Sequence, residues 1–534
     1  MIARLLAGTA VLSLTAGAAA ADYTLHILHI NDFHSRIEPI SGSDSTCSAE
    51  DNAAGECFGG VARLYTKVNE LRDAIRAEGG NVVVLDAGDQ FQGSLMYTTY
   101  KGTAEAEFMN AIGFDAMAVG NHEFDDGPEK LAEVVNLVDV PLVSGNLDLS
   151  QSNLLNGLIE NHLVLEVGGE RIGIVSALAT DTVETSSPGP NVIFQNEIDS
   201  LAADVQTLTG EGVTKIIALT HVGLPKDIDI AGAVPGLDAV VGGHSHTYLS
   251  SSNPERTGAY PTWVSSTDGT LVPVVQAYAY GKYLGHLVLT FDDEGRVIDA
   301  SGDTILLDAS VEENPEMVAR VAELAGPIEE LKARVVASTS EAIEGSREVC
   351  RQVECPMGNL VADAMLDRVK DQGVTIAIQN GGGLRASIDA GEVTMGEVLT
   401  VLPFQNTLAT FEATGQQIID ALENGVSQVA DGAGRFPQVA GLKYTWKISN
   451  EPGSRVLEVM VAEGDGFVPI DPAKVYGVVT NNFVRKGGDG FAMFANAANA
   501  YDFGPPLENV VADFMAATGG TYTPYVDGRI TKVE

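Results

Sequence analysis

The chain has 534 residues, is 45% hydrophobic and carries a formal net charge of −42 at pH 7. That length supports more than one domain, each with a sizeable core, and the apolar content excludes a disordered chain. The charge excludes nucleic-acid polymers and anionic membranes as partners, and any small anion must be met by local cations.

Residues 1–21 read as an export signal. Arg4 gives the positive start, Leu5 to Ala18 the apolar stretch, and Ala19-Ala20-Ala21 the small-residue cleavage site before Asp22. No cysteine follows the stretch, so no lipoprotein anchor is expected, and no later run reaches membrane-spanning length. A periplasmic or secreted protein is therefore expected. In that compartment the four cysteines are expected to pair locally, as Cys47–Cys57 and Cys350–Cys355. Neither pair has a further His or Cys at zinc-finger spacing.

Tyr23 to Ile30 alternates like a strand and ends in Asn31-Asp32-Phe33-His34. Val61, Leu64, Val68, Leu71 and Ile75 recur at helical spacing over 61–78, and Gly79-Gly80 stops that helix. A buried strand, Val82 to Leu85, runs into Asp86-Ala87-Gly88-Asp89. A helix over 104–112 and a strand over 116–119 lead to Asn121, His122, Glu123 and Asp125, and Pro128 opens the next helix. Further strands are expected at 172–178, at Lys215 to Thr220 ending in His221, and at Asp238 to Gly242 ending in His244-Ser245-His246. A helix at 197–208 separates the first two, and 271–291 reads as a closing hairpin. The alternation predicts an α/β domain over 22–310. Residues 311–340, rich in Glu, Ala, Lys and Arg and containing Pro327, read as a helical linker. The pattern restarts over 341–534, with helices at 359–370 and 415–424. Strands at 375–378 and 475–479 enter Asn380-Gly381-Gly382-Gly383-Leu384-Arg385 and Asn481-Asn482-Phe483.

Five strand ends of the first domain deliver metal-type ligands: Asp32 and His34; Asp89; Asn121 and His122; His221; His244 and His246. One such histidine is ordinarily structural. Five independent strands ending this way point to a metal centre beyond the carboxyl ends of the strands. The donors are oxygen and imidazole nitrogen without thiolate, which suits Zn foremost, with Mn, Co, Fe or Mg also compatible. So many donors suit two divalent ions sharing a carboxylate, a pair able to acidify water and clamp an in-line displacement at phosphorus.

Asn31-Asp32-Phe33-His34, Gly88-Asp89 with Gly93, Gly120-Asn121-His122-Glu123, Thr220-His221 and Gly243-His244-Ser245-His246 resemble the motifs of calcineurin-like metallophosphoesterases. Their order, with Gly59 to Leu64 and Gln276 to Leu284, resembles the 5′-nucleotidase branch across essentially the whole mature chain. The resemblance implies an N-terminal metallophosphoesterase sandwich joined by the helical linker to a C-terminal α/β nucleotide-binding domain. It implies one ion on Asp32, His34, Asp89 and His246 and another on Asp89, Asn121, His221 and His244, with Asp89 bridging. His122 would meet the phosphoryl group, oriented by Asp125. His246 departs from the many members that carry an amide there, while Asp86 is expected to be structural. Arg351, Asn380, Arg385, Phe404, Phe483 and Asp489 match nucleotide-binding positions, and Arg36 is expected to join them. The Cys350–Cys355 loop would fix Arg351, and the lobes would open and close about the linker.

The expected reaction is hydrolysis of a nucleoside 5′-monophosphate, AMP foremost, to nucleoside and phosphate, by a monomer or homodimer. The alternatives are a broader hydrolase of UDP-sugars, ATP/ADP or 2′,3′-cyclic nucleotides, and a catalytically silent nucleotide-binding protein.

Overall fold

The computed structural model describes residues 22–534 except 43, 45, 46, 405, 465, 503 and 520, and all but the side chain of residue 184. The export signal lies outside the described residues. Two six-stranded sheets face each other in the first lobe. One runs 297–306, 283–291, 23–30, 81–86, 116–118, 142–143, and the other 262–265, 271–275, 239–241, 215–221, 170–178, 162–167. The middle strands of both are parallel. Leu25, Ile27, Val83 and Leu85 of one sheet and Ile172, Ile174, Ile217 and Leu219 of the other fill the space between them. The outer face of the first sheet is covered by helices Val61–Ala77 and Thr103–Ile112, that of the second by Glu197–Gly210 and Leu224–Ala233. Strands buried on both faces read as continuous apolar runs, as Val82 to Leu85 and Ile216 to Leu219 do.

The expected hairpin at 271–291 is corrected by the structure. Leu271–Val275 lies in the second sheet, parallel to Ala239–Val241, whereas Tyr283–Phe291 crosses to the first and pairs with Tyr23–Ile30 and Val297–Leu306. Residues 276–282 make the crossing. Gln276 is held by Asp227 Oδ2 and Gly243 O at 3.1 and 2.9 Å, and Tyr278 and Tyr280 both adopt positive φ. Apolar alternation identifies strands, but it does not say which sheet receives them.

Asn314 caps the helix Pro315–Ala325 by accepting from the N–H groups of Glu316 and Met317. A 3-10 turn at Gly326–Ile328, containing Pro327, separates it from Glu329–Lys332. The next strand, Val335–Thr339, pairs with Gly391–Thr394 and Thr521–Tyr522. The second lobe also holds a five-stranded sheet (437–440, 374–380, 475–481, 408–414, 498–501) and a four-stranded one (466–469, 456–463, 442–447, 530–533). Helix Pro356–Val369 packs on the five-stranded sheet. Its N-terminus is capped by Cys355, whose Sγ accepts from Gly358 N at 3.2 Å. Helix Gly415–Ser427 opens on a reciprocal cap between Thr414 and Gln417. Cys47–Cys57 and Cys350–Cys355 are disulfide-bonded. No helix among the described residues is long and apolar enough to cross a membrane.

Candidate functional site at the lobe interface

The carboxyl ends of both six-stranded sheets open on one edge, and the loops leaving it turn abruptly. Asp32, His34, Asp89, His244 and His246 all have positive φ, between 51° and 73°. Non-glycine residues tolerate that region only where surrounding structure holds them, and such residues gather at functional sites. Gly120 explains how Asp89 fits beside the next strand. A Cβ there would lie 2.2 Å from Asp89 Oδ1 and 2.4 Å from Asp89 N. Glu123, beside His122, turns inward and accepts from the N–H groups of Gly120, Asp89, Gln90 and Phe91 at 2.7–3.2 Å. Asp86 likewise braces the loop, accepting from Gly88 N and Gln90 Nε2.

The donor atoms converge in three groups, each within 4.8 Å: Asp32, His34 and His246; His34, Asp89 and His122; Asp89, His221 and His244. Asp89 Oδ2 stands 3.7 Å from His34 Nε2 and 3.1 Å from His221 Nε2, between the outer groups. His246 Nε2 is 3.1 Å from both His34 Nε2 and Asp32 Oδ1. Asn121 Oδ1 lies 2.8 Å from His244 Nδ1.

This arrangement fits divalent cations on four counts. The Nδ1 atoms of His34 and His221 face the backbone carbonyls of Phe91 and Ala87 at 3.1 and 2.7 Å, which leaves each Nε2 as the ligand nitrogen. His221 Nε2 is buried and has no well-aligned hydrogen-bond partner among the described residues, although Asp89 Oδ2 stands 3.1 Å away. Burial, reinforced by Arg385 for His34, His221 for His244 and Arg347 for His246, holds these three imidazoles well below their ordinary pKa, in the neutral form that binds metal. Finally, burial pushes Asp32 up to about 6 even beside His221, a cost that a cation would relieve.

His122 stands slightly apart. Its Nδ1 is 2.6 Å from Asp125 Oδ2, and its backbone N–H donates to Asp89 Oδ1 at 2.8 Å. Burial works against protonation, but the Asp125 and Asp89 carboxylates prevail and raise its pKa. Ser186 Oγ donates to the other oxygen of Asp125 at 2.7 Å.

The second lobe faces this edge across a cavity of about 710 Å³, which His122, His244 and His246 line on one side and Arg351, Arg385, Phe404, Phe483 and Asp489 on the other. Asp32, His34 and His221 lie beneath its floor. Arg385 crosses the gap, with Nη2 3.0 Å from His34 Nε2 and its guanidinium 5.6 Å from the centre of the Phe404 ring. Phe404 is stacked near His122, centroids 5.6 Å apart. Phe483 lies flat on Gly488, where a Cβ would fall 2.5 Å from the ring. Asn380 Nδ2 donates to Asp489 Oδ2 at 2.6 Å, and Asp489 itself has φ 54°. Arg351, fixed by the disulfide on either side of it in sequence, donates from Nη1 to Gly432 O at 3.2 Å.

Arg36 is placed differently from its fellows. It lies behind the donor cluster, donating to Gly93 O at 2.6 Å with its guanidinium over Tyr280, and lines a separate cavity of about 30 Å³ with Glu38 and Lys332. Among the lining residues not singled out in the sequence are Ser186 and Arg347, whose Nη1 donates to His244 O at 3.3 Å. Arg347 had a legible signal, since it stands one helical turn before Arg351.

A two-sheet sandwich that gathers Asp, Asn and His donors at the ends of its strands defines a calcineurin-like metallophosphoesterase, and the profile of the calcineurin-like phosphoesterase family matches residues 25–248. That of the 5′-nucleotidase C-terminal domain matches residues 335–496. The chain is 41% identical to a human 5′-nucleotidase and 40% identical to one from Diplobatis ommata, in each case over 96% of this chain and 91% of the relative. A 5′-nucleotidase precursor from Thermus thermophilus superposes with a TM-score of 0.90 at 39% identity, covering 96% of this chain and 99% of that one. The chain belongs to the 5′-nucleotidase family, enzymes that act on nucleotides.

Proposed function

We propose that this protein hydrolyses nucleoside 5′-monophosphates, AMP foremost, to nucleoside and phosphate outside the cytoplasm. The observation that carries this reading is one cavity with metal-type donors on one wall and Arg351, Arg385, Phe404, Phe483 and Asp489 on the other. Asp32, His34, Asp89 and His246 would hold one divalent ion and Asp89, Asn121, His221 and His244 the second, with Zn foremost and Mn, Co, Fe or Mg also compatible with the donors. Bound there, the ions would supply Lewis-acid stabilisation of phosphoryl oxygens and a more acidic water.

The remaining work belongs to the chain. His122, with Nδ1 engaged by Asp125 and its pKa raised by the Asp125 and Asp89 carboxylates, is placed so that its other nitrogen can donate to a phosphoryl or leaving-group oxygen. Arg351 and Arg385 provide the fixed positive charge that a strongly acidic protein must place beside an anionic substrate. Phe404 and Phe483 offer flat apolar faces for a base, and Asp489 is an acceptor for ribose hydroxyls. The two disulfides and the sequence of residues 1–21 support export.

Phosphate release should be measured after chelation and again after adding back single metals. The panel is AMP, other monophosphates, ADP, ATP, a UDP-sugar, a 2′,3′-cyclic nucleotide and a small aryl phosphate. AMP should lead, with turnover abolished by chelation and restored by Zn or Mn. Activity indifferent to chelation, or equal rates on the aryl phosphate, would overturn the reading.

A further inference from the structure

Asp125 has two carboxylate oxygens, and both are engaged. Oδ2 is 2.6 Å from His122 Nδ1, and Oδ1 accepts from Ser186 Oγ at 2.7 Å. A carboxylate held at one oxygen still swings about its Cβ–Cγ bond. Held at both, it presents a fixed acceptor and so fixes the plane of the imidazole it carries. Ser186 comes from a different part of the chain, 61 residues beyond Asp125.

The segment that delivers Ser186 is itself well anchored. Ala179 N donates to His221 O at 3.0 Å, and Thr180 donates to Glu197 Oε1 from both its N–H and its hydroxyl. The short helix Thr182–Thr185 then packs against the Gly488–Gly490 turn of the second lobe, which bears Asp489. Ser186 N closes that helix on Thr182 O at 2.9 Å. The hydroxyl therefore stands on a strap tied to the donor-bearing sheet at one end and touching the opposite lobe at the other.

We propose that Ser186 is a positioning residue for the phosphoryl-transfer reaction, holding Asp125 so that His122 faces the cavity in one orientation. The inference rests on the proposed role of His122. Substituting Ser186→Ala should lower kcat on AMP about ten-fold, the scale of one hydrogen bond to a charged group, with KM unchanged. Ser186→Thr keeps the hydroxyl and should stay within about two-fold of the parent, by the same reasoning. In an Asp125→Asn background the Ser186→Ala change should have little further effect, because it acts through that carboxylate.

A second readout does not depend on turnover. The short His122–Asp125 hydrogen bond should give a downfield imidazole N–H proton resonance, assigned by its absence in His122→Ala. It should shift or broaden in Ser186→Ala and persist in Ser186→Thr, while bound-metal stoichiometry stays at the parent level in both. An unchanged resonance in Ser186→Ala overturns the proposal, as does unchanged kcat, a loss confined to KM, or loss of metal. A parent protein inert on AMP would overturn the proposed function instead, and the resonance would still decide the role of Ser186.

Discussion

Replacing Gly120 by Ala tests whether the donor cluster is built to the tolerance that its geometry implies. Gly120 has no positive φ, so the substitution strains no backbone dihedral and the effect is purely steric. The new methyl would lie 2.2 Å from Asp89 Oδ1, 2.4 Å from Asp89 N and 2.7 Å from Glu123 Oε2. No Cβ lives at such distances, and two of the three atoms belong to the residue standing between the outer donor groups. Glu123 cannot retreat freely, because it holds four backbone N–H groups. Overpacking of this kind costs about 1–3 kcal/mol. The displaced carboxylate should weaken metal retention by roughly ten- to a hundred-fold, as for other disturbances of ligand orientation. Metal content after dialysis, calorimetric unfolding and phosphate release would be measured beside Gly210→Ala, a position with open space and ordinary φ. That control should be neutral or slightly stabilising. Full metal occupancy and parental unfolding in Gly120→Ala would refute the claim that Asp89 is sterically locked.

Two further substitutions address the other wall and the scaffold. Phe483→Ala should raise KM for AMP by about 5- to 150-fold, the 1–3 kcal/mol of one stacked base, and leave kcat/KM on a small aryl phosphate near parental. An equal loss on both substrates would remove Phe483 from base recognition. Glu105 is buried, which pushes its carboxyl up to about 7, and accepts a hydrogen bond from Ser35. A folded-state pKa above the unfolded one means stability that is full below pH 4.5 and lost as pH rises toward 7. Glu105→Gln should thus match the parent at pH 5 and unfold at higher temperature than it at pH 8. The same difference at both values would show that Glu105 is ionised throughout.

The donor set is legible because each ligand is attached to a strand end. Apolar runs such as Val82 to Leu85 locate the strands, and in a parallel sheet neighbouring ends share an edge. Asp32, Asp89 and Asn121 can be grouped on that ground, and His221 with His244, but only the fold shows that the two sheets bring both sets to one edge. Side chains that matter through contacts between distant segments leave no such mark. Ser186 reads as one more serine in a Ser/Pro/Gly loop, and only the fold carries it to Asp125. Sequence pattern makes Glu123 look like one more ligand, whereas it is spent on backbone amides. Arg36 follows His34 so closely that sequence groups it with the substrate arginines, yet the turn at His34 and Ser35, both at positive φ, sends it behind the cluster.

The left-handed turns that carry Asp32, His34, Asp89, His244 and His246 bear on how ions exchange. Side-chain direction at these positions is dictated by the main chain, so the ligand sphere is preorganised rather than assembled on arrival. Ions bound there would need no loop rearrangement to complete their ligand set. The unfavourable torsions are underwritten by the sandwich between the sheets, so loosening a core residue away from the strand ends, such as Ile172 or Leu25, should be felt first as weaker metal retention.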